Sequence, residues 1–222
     1  MTTSTPTSTP TSTPASTIKT VIPLFPKFTA LDAIGPYEVL QRIPEIDVTF
    51  IGHARGEVRS ENGFLGITRD APFEEMPRPD IVVFPGGVGT RPLVHDERVL
   101  DWVRTAHETT MYTTSVCTGS FVLAAAGLLN GLTATTYWSV YPELAALGAI
   151  PVADRVVEHL DHRIVTAAGV SSGIDMALRL VEVLDAKLKA GERRAKVMGN
   201  GRKRLGPPGN EFPDACLHLI EC

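Results

Sequence analysis

Residues 111–129 constrain this chain more than any other stretch. They read as a β-branched strand, a sharp turn at Cys117 and an apolar helix. A buried strand that feeds straight into a helix belongs in a mostly parallel sheet with helices on both faces. A thiol at that turn would stand at the carboxyl edge of the sheet and at the positive end of a helix. Both placements favour thiolate over thiol. Strand–nucleophile–helix geometry of this kind serves enzymes that attack carbonyl-like carbons. A small buried core cysteine fits the same string, so locally both roles stay open.

The rest of the chain repeats the alternation. Strands are expected over residues 21–25, 46–51, 80–84 and 111–116, with helices over 32–40, 96–108, 118–129, 140–147 and 173–184. Pro36 falls near the start of the first helix, where proline is tolerated, and Asn130-Gly131 reads as the stop of the helix after Cys117. Residues 56–68 are turn-rich and hairpin-like, 133–136 form a short strand, and 155–160 and 163–166 are strands joined across Asp161-His162. The fold class this predicts is a three-layer α/β sandwich.

The two ends differ from this body. Residues 1–17 carry three Thr-Ser-Thr-Pro repeats, a composition that cannot build a core, so a disordered leader is expected. An ordered domain is expected over residues 18–186. Residues 187–222 read as a basic, poorly ordered tail, which contacts phosphates or simply remains a solvated terminus.

Of 222 residues, 43% are hydrophobic and 21% charged, and the net charge is -4. That is an ordinary surface over a real core, with nothing that points to nucleic acid or to an anionic membrane. Three cysteines, two of them in the tail, do not make a disulfide framework. No apolar run is long enough to span a bilayer, and the first residues lack the pattern of a signal peptide. The expectation is a cytoplasmic protein with a reduced thiol.

If the strands are parallel, three loops converge at one sheet edge. They carry Asp32, Gly86-Gly87-Val88 and Cys117-Thr118. Cys117 would then be the nucleophile, and the Gly87 and Thr118 amides donors to developing negative charge. Asp32 would be the acid/base group, its pKa raised by desolvation beside a thiolate. It fits a helix N-cap equally well, and the glycines fit an ordinary turn. No histidine spacing demands a partner for the thiol, although His53, after the second strand, stays open. No histidine or cysteine cluster has zinc-ligand spacing, and Gly86-Gly87-Val88-Gly89 is neither a dinucleotide nor a P-loop fingerprint.

Five strings, in order, resemble the ThiJ/PfpI superfamily, and within it the isocyanide hydratase branch. They are Leu31-Asp32-Ala33-Ile34-Gly35-Pro36, Val83-Phe84-Pro85-Gly86-Gly87, Thr114-Ser115-Val116-Cys117-Thr118-Gly119-Ser120, Ala125-Ala126-Gly127-Leu128-Leu129 and Gly173-Ile174-Asp175-Met176-Ala177-Leu178. The resemblance implies a flavodoxin-like, glutamine amidotransferase-like sandwich, a homodimer and a cysteine on a nucleophile elbow. It implies Cys117, Asp32 and Thr118 as catalytic residues, Gly86, Gly87 and Val88 against the substrate, and no metal or organic cofactor. The implied reaction converts an isocyanide and water to an N-substituted formamide. Cys117 would form a thioimidate, Asp32 would supply the proton and later activate water, and Thr118 would position Asp32 or the intermediate.

Two departures stand out. The branch shows Ala-Thr-Thr-His-Trp where this chain has Ala134-Thr135-Thr136-Tyr137-Trp138, and a phenol cannot take the proton-transfer role of an imidazole near neutrality. The chain after Asp185 also looks unrelated to the helical sequence of the family. Two other readings compete. A ligand-sensing domain like that of AraC-type regulators shares most of these motifs, but this chain lacks a helix-turn-helix pattern. A glyoxalase- or deglycase-like stress enzyme would carry Glu at the place of Asp32 and a histidine partner.

Overall fold

The computed structural model describes residues 17–199. The leader up to residue 16 and residues 200–222 lie outside it. In chain order the elements are β1 (Ile18–Pro23), α1 (Ala30–Leu40), β2 (Ile46–Gly52), β3 (Gly56–Arg59), β4 (Gly66–Arg69), β5 (Ala71–Pro72) and β6 (Ile81–Phe84). There follow α2 (Thr90–Leu93), α3 (Glu97–Thr109), β7 (Tyr112–Val116), α4 (Gly119–Ala125), β8 (Thr133–Ala134), α5 (Tyr141–Ala146), β9 (Ile150–Pro151), β10 (Val156–His159), β11 (Ile164–Ala167) and α6 (Ser172–Gly199).

Seven strands form one sheet in the order β10-β11-β7-β6-β1-β2-β5. Every pairing is parallel except that of β10 with β11. β6 is buried at every position and so is β7, as central strands covered on both faces must be. α1 and α6 pack on one another in one helical layer, while α3 and α4 pack on one another in a second. This is the mixed, mostly parallel sandwich expected. Chain order along the sheet reverses between β1 and β6, and ligand sites in such sheets open at that switch point.

Local chemistry explains most boundaries. α3 buries Val99, Leu100, Trp102, Val103 and Ala106 along one stripe, and Asp96 caps it by accepting the Val99 amide at 3.4 Å. β3 and β4 make the expected antiparallel hairpin. β10 and β11 form the second hairpin, turning through Arg163 at φ +60°.

Four expectations need correction. The first strand starts at Ile18, because Ile18–Pro23 pairs along its whole length with β2. The helix after Cys117 ends at Ala125, short of Asn130-Gly131. Gly127 adopts φ +86°, its amide donates to Ala124 O at 2.8 Å, and Leu128 N donates to Leu123 O at 3.0 Å, which closes the helix. Pro36 lies inside α1, which begins at Ala30. It withholds the donor that the Asp32 carbonyl would otherwise meet. Finally, α6 runs on to Gly199, well past the expected helix end at residue 184. Among the described residues no helix is long and apolar enough to cross a membrane.

Gly119 opens α4 directly against β6. A Cβ there would meet Phe84 O at 2.1 Å and Pro85 O at 2.9 Å, both backbone atoms that cannot swing aside. Gly119→Ala is expected to cost about 2 kcal/mol or more. Chemical denaturation would show a lowered midpoint, whereas an unchanged midpoint would mean the β6–α4 contact is looser than described.

Candidate active site

The carboxyl ends of β1, β6, β7 and β11 lie side by side, and the loop after each delivers one part of the site. β7 runs directly into Cys117, whose φ is +56°. A non-glycine residue in this region is strained and needs its surroundings to hold it. Here the Cys117 amide donates to Ala167 O at 2.9 Å, and its carbonyl accepts from Ser120 Oγ and Thr136 Oγ1, each at 3.0 Å.

Two glycines make room for the thiol. A Cβ on Gly86 would sit 2.7 Å from Cys117 Cβ and 2.8 Å from Asp32 Oδ2, so thiol-bearing residue and carboxyl crowd the same spot. On the other side Gly169, at φ +150°, approaches closely enough that a Cβ would lie 3.3 Å from the sulfur. A side chain at either position would push into the reactive pair.

Asp32 is completely buried. It is not the N-cap of α1, a position held by Thr29, but stands in the first turn. Its carboxyl turns away from its own helix. Oδ2 accepts the Gly86 amide and Oδ1 the Val170 amide, each at 3.0 Å. Val170 itself has φ +49°, an outlier for a β-branched residue, and the residue stands 43% exposed at the pocket wall.

Burial pushes the Asp32 carboxyl up to about 6, against the lowering effect of the Gly86 and Val170 amides. Burial and then the charge of Asp32 push the Cys117 thiol up to about 12, although the Thr118 amide and hydroxyl pull it down. The sequence argument for a standing thiolate therefore needs correction: desolvation and a neighbouring carboxylate outweigh the end of a short helix. Between those two values the pair holds one proton. Because folding raises the Asp32 pKa, the folded state favours the protonated acid. The stability this gives below about 3.8 is lost as pH rises through about 6, roughly 3 kcal/mol in all.

Outside the thiol opens a pocket of about 360 Å³, lined in part by Thr29, Gly87, Val88, Thr118, Val140 and Val170. Cys117 reaches it while remaining only 7% exposed. Its geometry thus differs from that of a core cysteine in three ways: a left-handed backbone, a carboxyl neighbour and access to a cavity. Asp32 does not line the pocket and lies behind the sulfur.

The remaining expected residues take more specific places. Thr118 Oγ1 accepts the Gly87 amide at 2.9 Å and donates to Gly87 O at 3.1 Å, locking the two loops together. The Gly87 amide is therefore occupied, and the backbone donor left facing the sulfur is the Thr118 amide. Gly87 and Val88 line the pocket, whereas Gly86 stands behind it against Asp32. Tyr137 stands 39% exposed at the mouth and packs on Trp138. His53 pairs with Asp96 at 2.7 Å and takes no part in the pocket lining.

Sequence reasoning missed Val170, Thr136, Glu61, Arg91 and Ser139. The signal for Val170 was present: Gly169 follows an apolar strand just as Gly86 follows β6. Glu61 offered no local signal. It lies in the β3–β4 turn and reaches the site only by accepting the Val88 amide at 2.9 Å.

The DJ-1/PfpI family model matches residues 18–183. An isonitrile hydratase of Pseudomonas putida is 45% identical over 72% of this chain and 69% of that protein. The transcriptional regulator GbdR of Pseudomonas aeruginosa is 32% identical over 53% of this chain, which covers only 32% of the regulator. A crystal structure of a ThiJ/PfpI family protein from Pseudomonas syringae superposes with a TM-score of 0.70 at 28% identity, covering 98% of this chain and 91% of that one. The family model spans most of the described residues, and the chain belongs to the DJ-1/PfpI family.

Proposed function

We propose that the protein is a cysteine-dependent hydratase that converts an isocyanide to an N-substituted formamide. The observation that carries the reading is Cys117 at the wall of a small pocket, sharing one proton with the Asp32 carboxyl buried behind it. The 45% identity to an isonitrile hydratase supports it.

An isocyanide carbon takes both a nucleophile and a proton, and the pair supplies both. Passing its proton to Asp32 leaves Cys117 as thiolate. Sulfur adds to the terminal carbon, and the Asp32 proton ends on that same carbon, one bond from sulfur. The product is a thioimidate, R–N=CH–S–Cys117. Water then adds and the C–S bond breaks, giving R–NH–CHO and restoring the pair. The Thr118 amide stabilises negative charge on sulfur at both stages. A pocket walled by Val88, Val140 and Val170 suits an uncharged group on the isocyanide nitrogen. The chemistry needs no metal or organic cofactor. A homodimer in a reducing cytoplasm completes this reading.

The Asp32 position separates this from a glyoxalase-like reading, which lacks the histidine it needs beside the thiol. A sensor-domain reading rests on the partial match to the regulator. It leaves unexplained why a carboxyl is buried against a thiol.

Incubation with cyclohexyl isocyanide should release the formamide, detected by chromatography, and Cys117→Ala should abolish it. Absence of product from the wild type, or product from the variant at the same rate, contradicts the reading. The pH dependence is equally specific. Below about 6 both groups carry protons, so kcat/KM should fall tenfold per pH unit there and stay flat through neutrality. Asp32→Asn should lose that limb and slow turnover by roughly 10²- to 10⁴-fold. An acid limb that survives in the variant would assign it to another group.

A further inference from the structure

Hydration of the thioimidate needs a base on the pocket side, and Asp32 is poorly placed to be that base. It is fully buried, both of its oxygens accept backbone amides, and it does not line the pocket. Water that attacks the thioimidate carbon must arrive through the cavity.

The cavity has one carboxylate among its described lining residues, that of Glu61. The other titratable groups there besides Cys117 are Arg91 and Tyr137, and neither a guanidinium nor a phenol takes up a proton at neutral pH. Glu61 is also well held. Its amide donates to Phe28 O at 3.0 Å, and Ser60 before it bridges to Phe28. Oε1 accepts the Val88 amide at 2.9 Å, while Oε2 has no protein partner among the described residues. One oxygen is anchored beside the glycine loop and the other is left free for water. The charge of Glu61 is also felt at Asp32, which it helps to raise.

We propose that Glu61 is the general base for the second half of the reaction, activating the water that hydrates the thioimidate on Cys117. This rests on the hydratase reading and completes it. The new C–O bond forms as one water proton passes to Glu61. Glu61 returns that proton to the substrate nitrogen, giving R–NH–CH(OH)–S–Cys117. As the C–S bond breaks and the carbonyl forms, the hydroxyl proton moves to the Cys117–Asp32 pair. The two water protons end on nitrogen and on the pair, and nothing is oxidised or reduced. The two carboxyl groups thus divide the work. Asp32 serves addition from behind the sulfur, and Glu61 serves hydration from the pocket.

Glu61→Gln tests this, because glutamine keeps an acceptor for the Val88 amide but cannot take a proton. The enzyme is mixed with cyclohexyl isocyanide, quenched at intervals and weighed intact by mass spectrometry, with the formamide measured in parallel. The expected result is addition within a few-fold of wild type, a Cys117 adduct heavier by one isocyanide that accumulates, and turnover slowed by roughly 10²-fold. Wild-type turnover in Glu61→Gln with no adduct would overturn the proposal. So would loss of activity in Glu61→Ala that Glu61→Gln restores, which would mark a positioning role. If the wild type gives neither adduct nor formamide, the hydratase reading fails as well. If the wild type turns over and Glu61→Gln is slow in forming the adduct, the assignment of Glu61 to the second half alone is wrong.

Discussion

Asp32 holds the site together. Its carboxyl accepts an amide from the loop after β6 and another from the loop after β11, and it lies against the thiol delivered by β7. One side chain from α1 thus ties three strand ends to a fourth. Ionised, it gains two charge-assisted hydrogen bonds from amides and one with the Cys117 thiol, but it loses solvation and faces the charge of Glu61. The balance still leaves its pKa raised, so the fold gives up stability at neutral pH to keep the group where it is. Conformational stability alone gives no reason to bury a carboxyl there, and the hydratase reading proposed above supplies one.

The backbone bears a similar burden. Cys117 and Val170 both adopt left-handed φ without being glycine, and Gly169, next to Val170 in the chain, lies against Cys117. Cys117 is held by hydrogen bonds to its amide and carbonyl. The Val170 loop is held by Ser172, whose Oγ accepts the Gly169 amide at 2.6 Å and donates to Gly169 O at 2.7 Å. Arg155 steadies the same loop through Ser171 Oγ at 3.1 Å and pairs with Asp175 on α6. Strain of this kind persists only where the surroundings over-determine it, and here it aims a sulfur and an amide at one carboxyl.

Much of this was legible in the sequence because it rests on local patterns. The compact apolar run of β6 and the β-branched run of β7, each ending at a turn signal, pointed to the parallel sheet and the shared edge. They also placed Cys117, Asp32 and the glycine loop together. What stayed hidden depends on long-range contacts. The edge strand Ala71–Pro72 and the small β8–β9 pair exist only through pairing with distant partners. The Thr118 hydroxyl is spent on Gly87, and Glu61 reaches the pocket through a hairpin turn, with neither contact written in spacing. The state of the thiol was misjudged for a related reason. A helix start is visible in a string of residues, whereas the burial and the facing carboxylate that overcome it are properties of the assembled fold.

The most direct test of the shared proton is the alkylation rate of Cys117 by iodoacetamide as a function of pH, followed on its own peptide by mass spectrometry in wild type and Asp32→Asn. If the buried carboxylate holds the thiol protonated, wild-type Cys117 reacts slowly from pH 7 to 9, and removing the charge makes it faster throughout that range. Slower alkylation in the variant, or a wild-type thiol that already titrates below pH 7, would contradict the account.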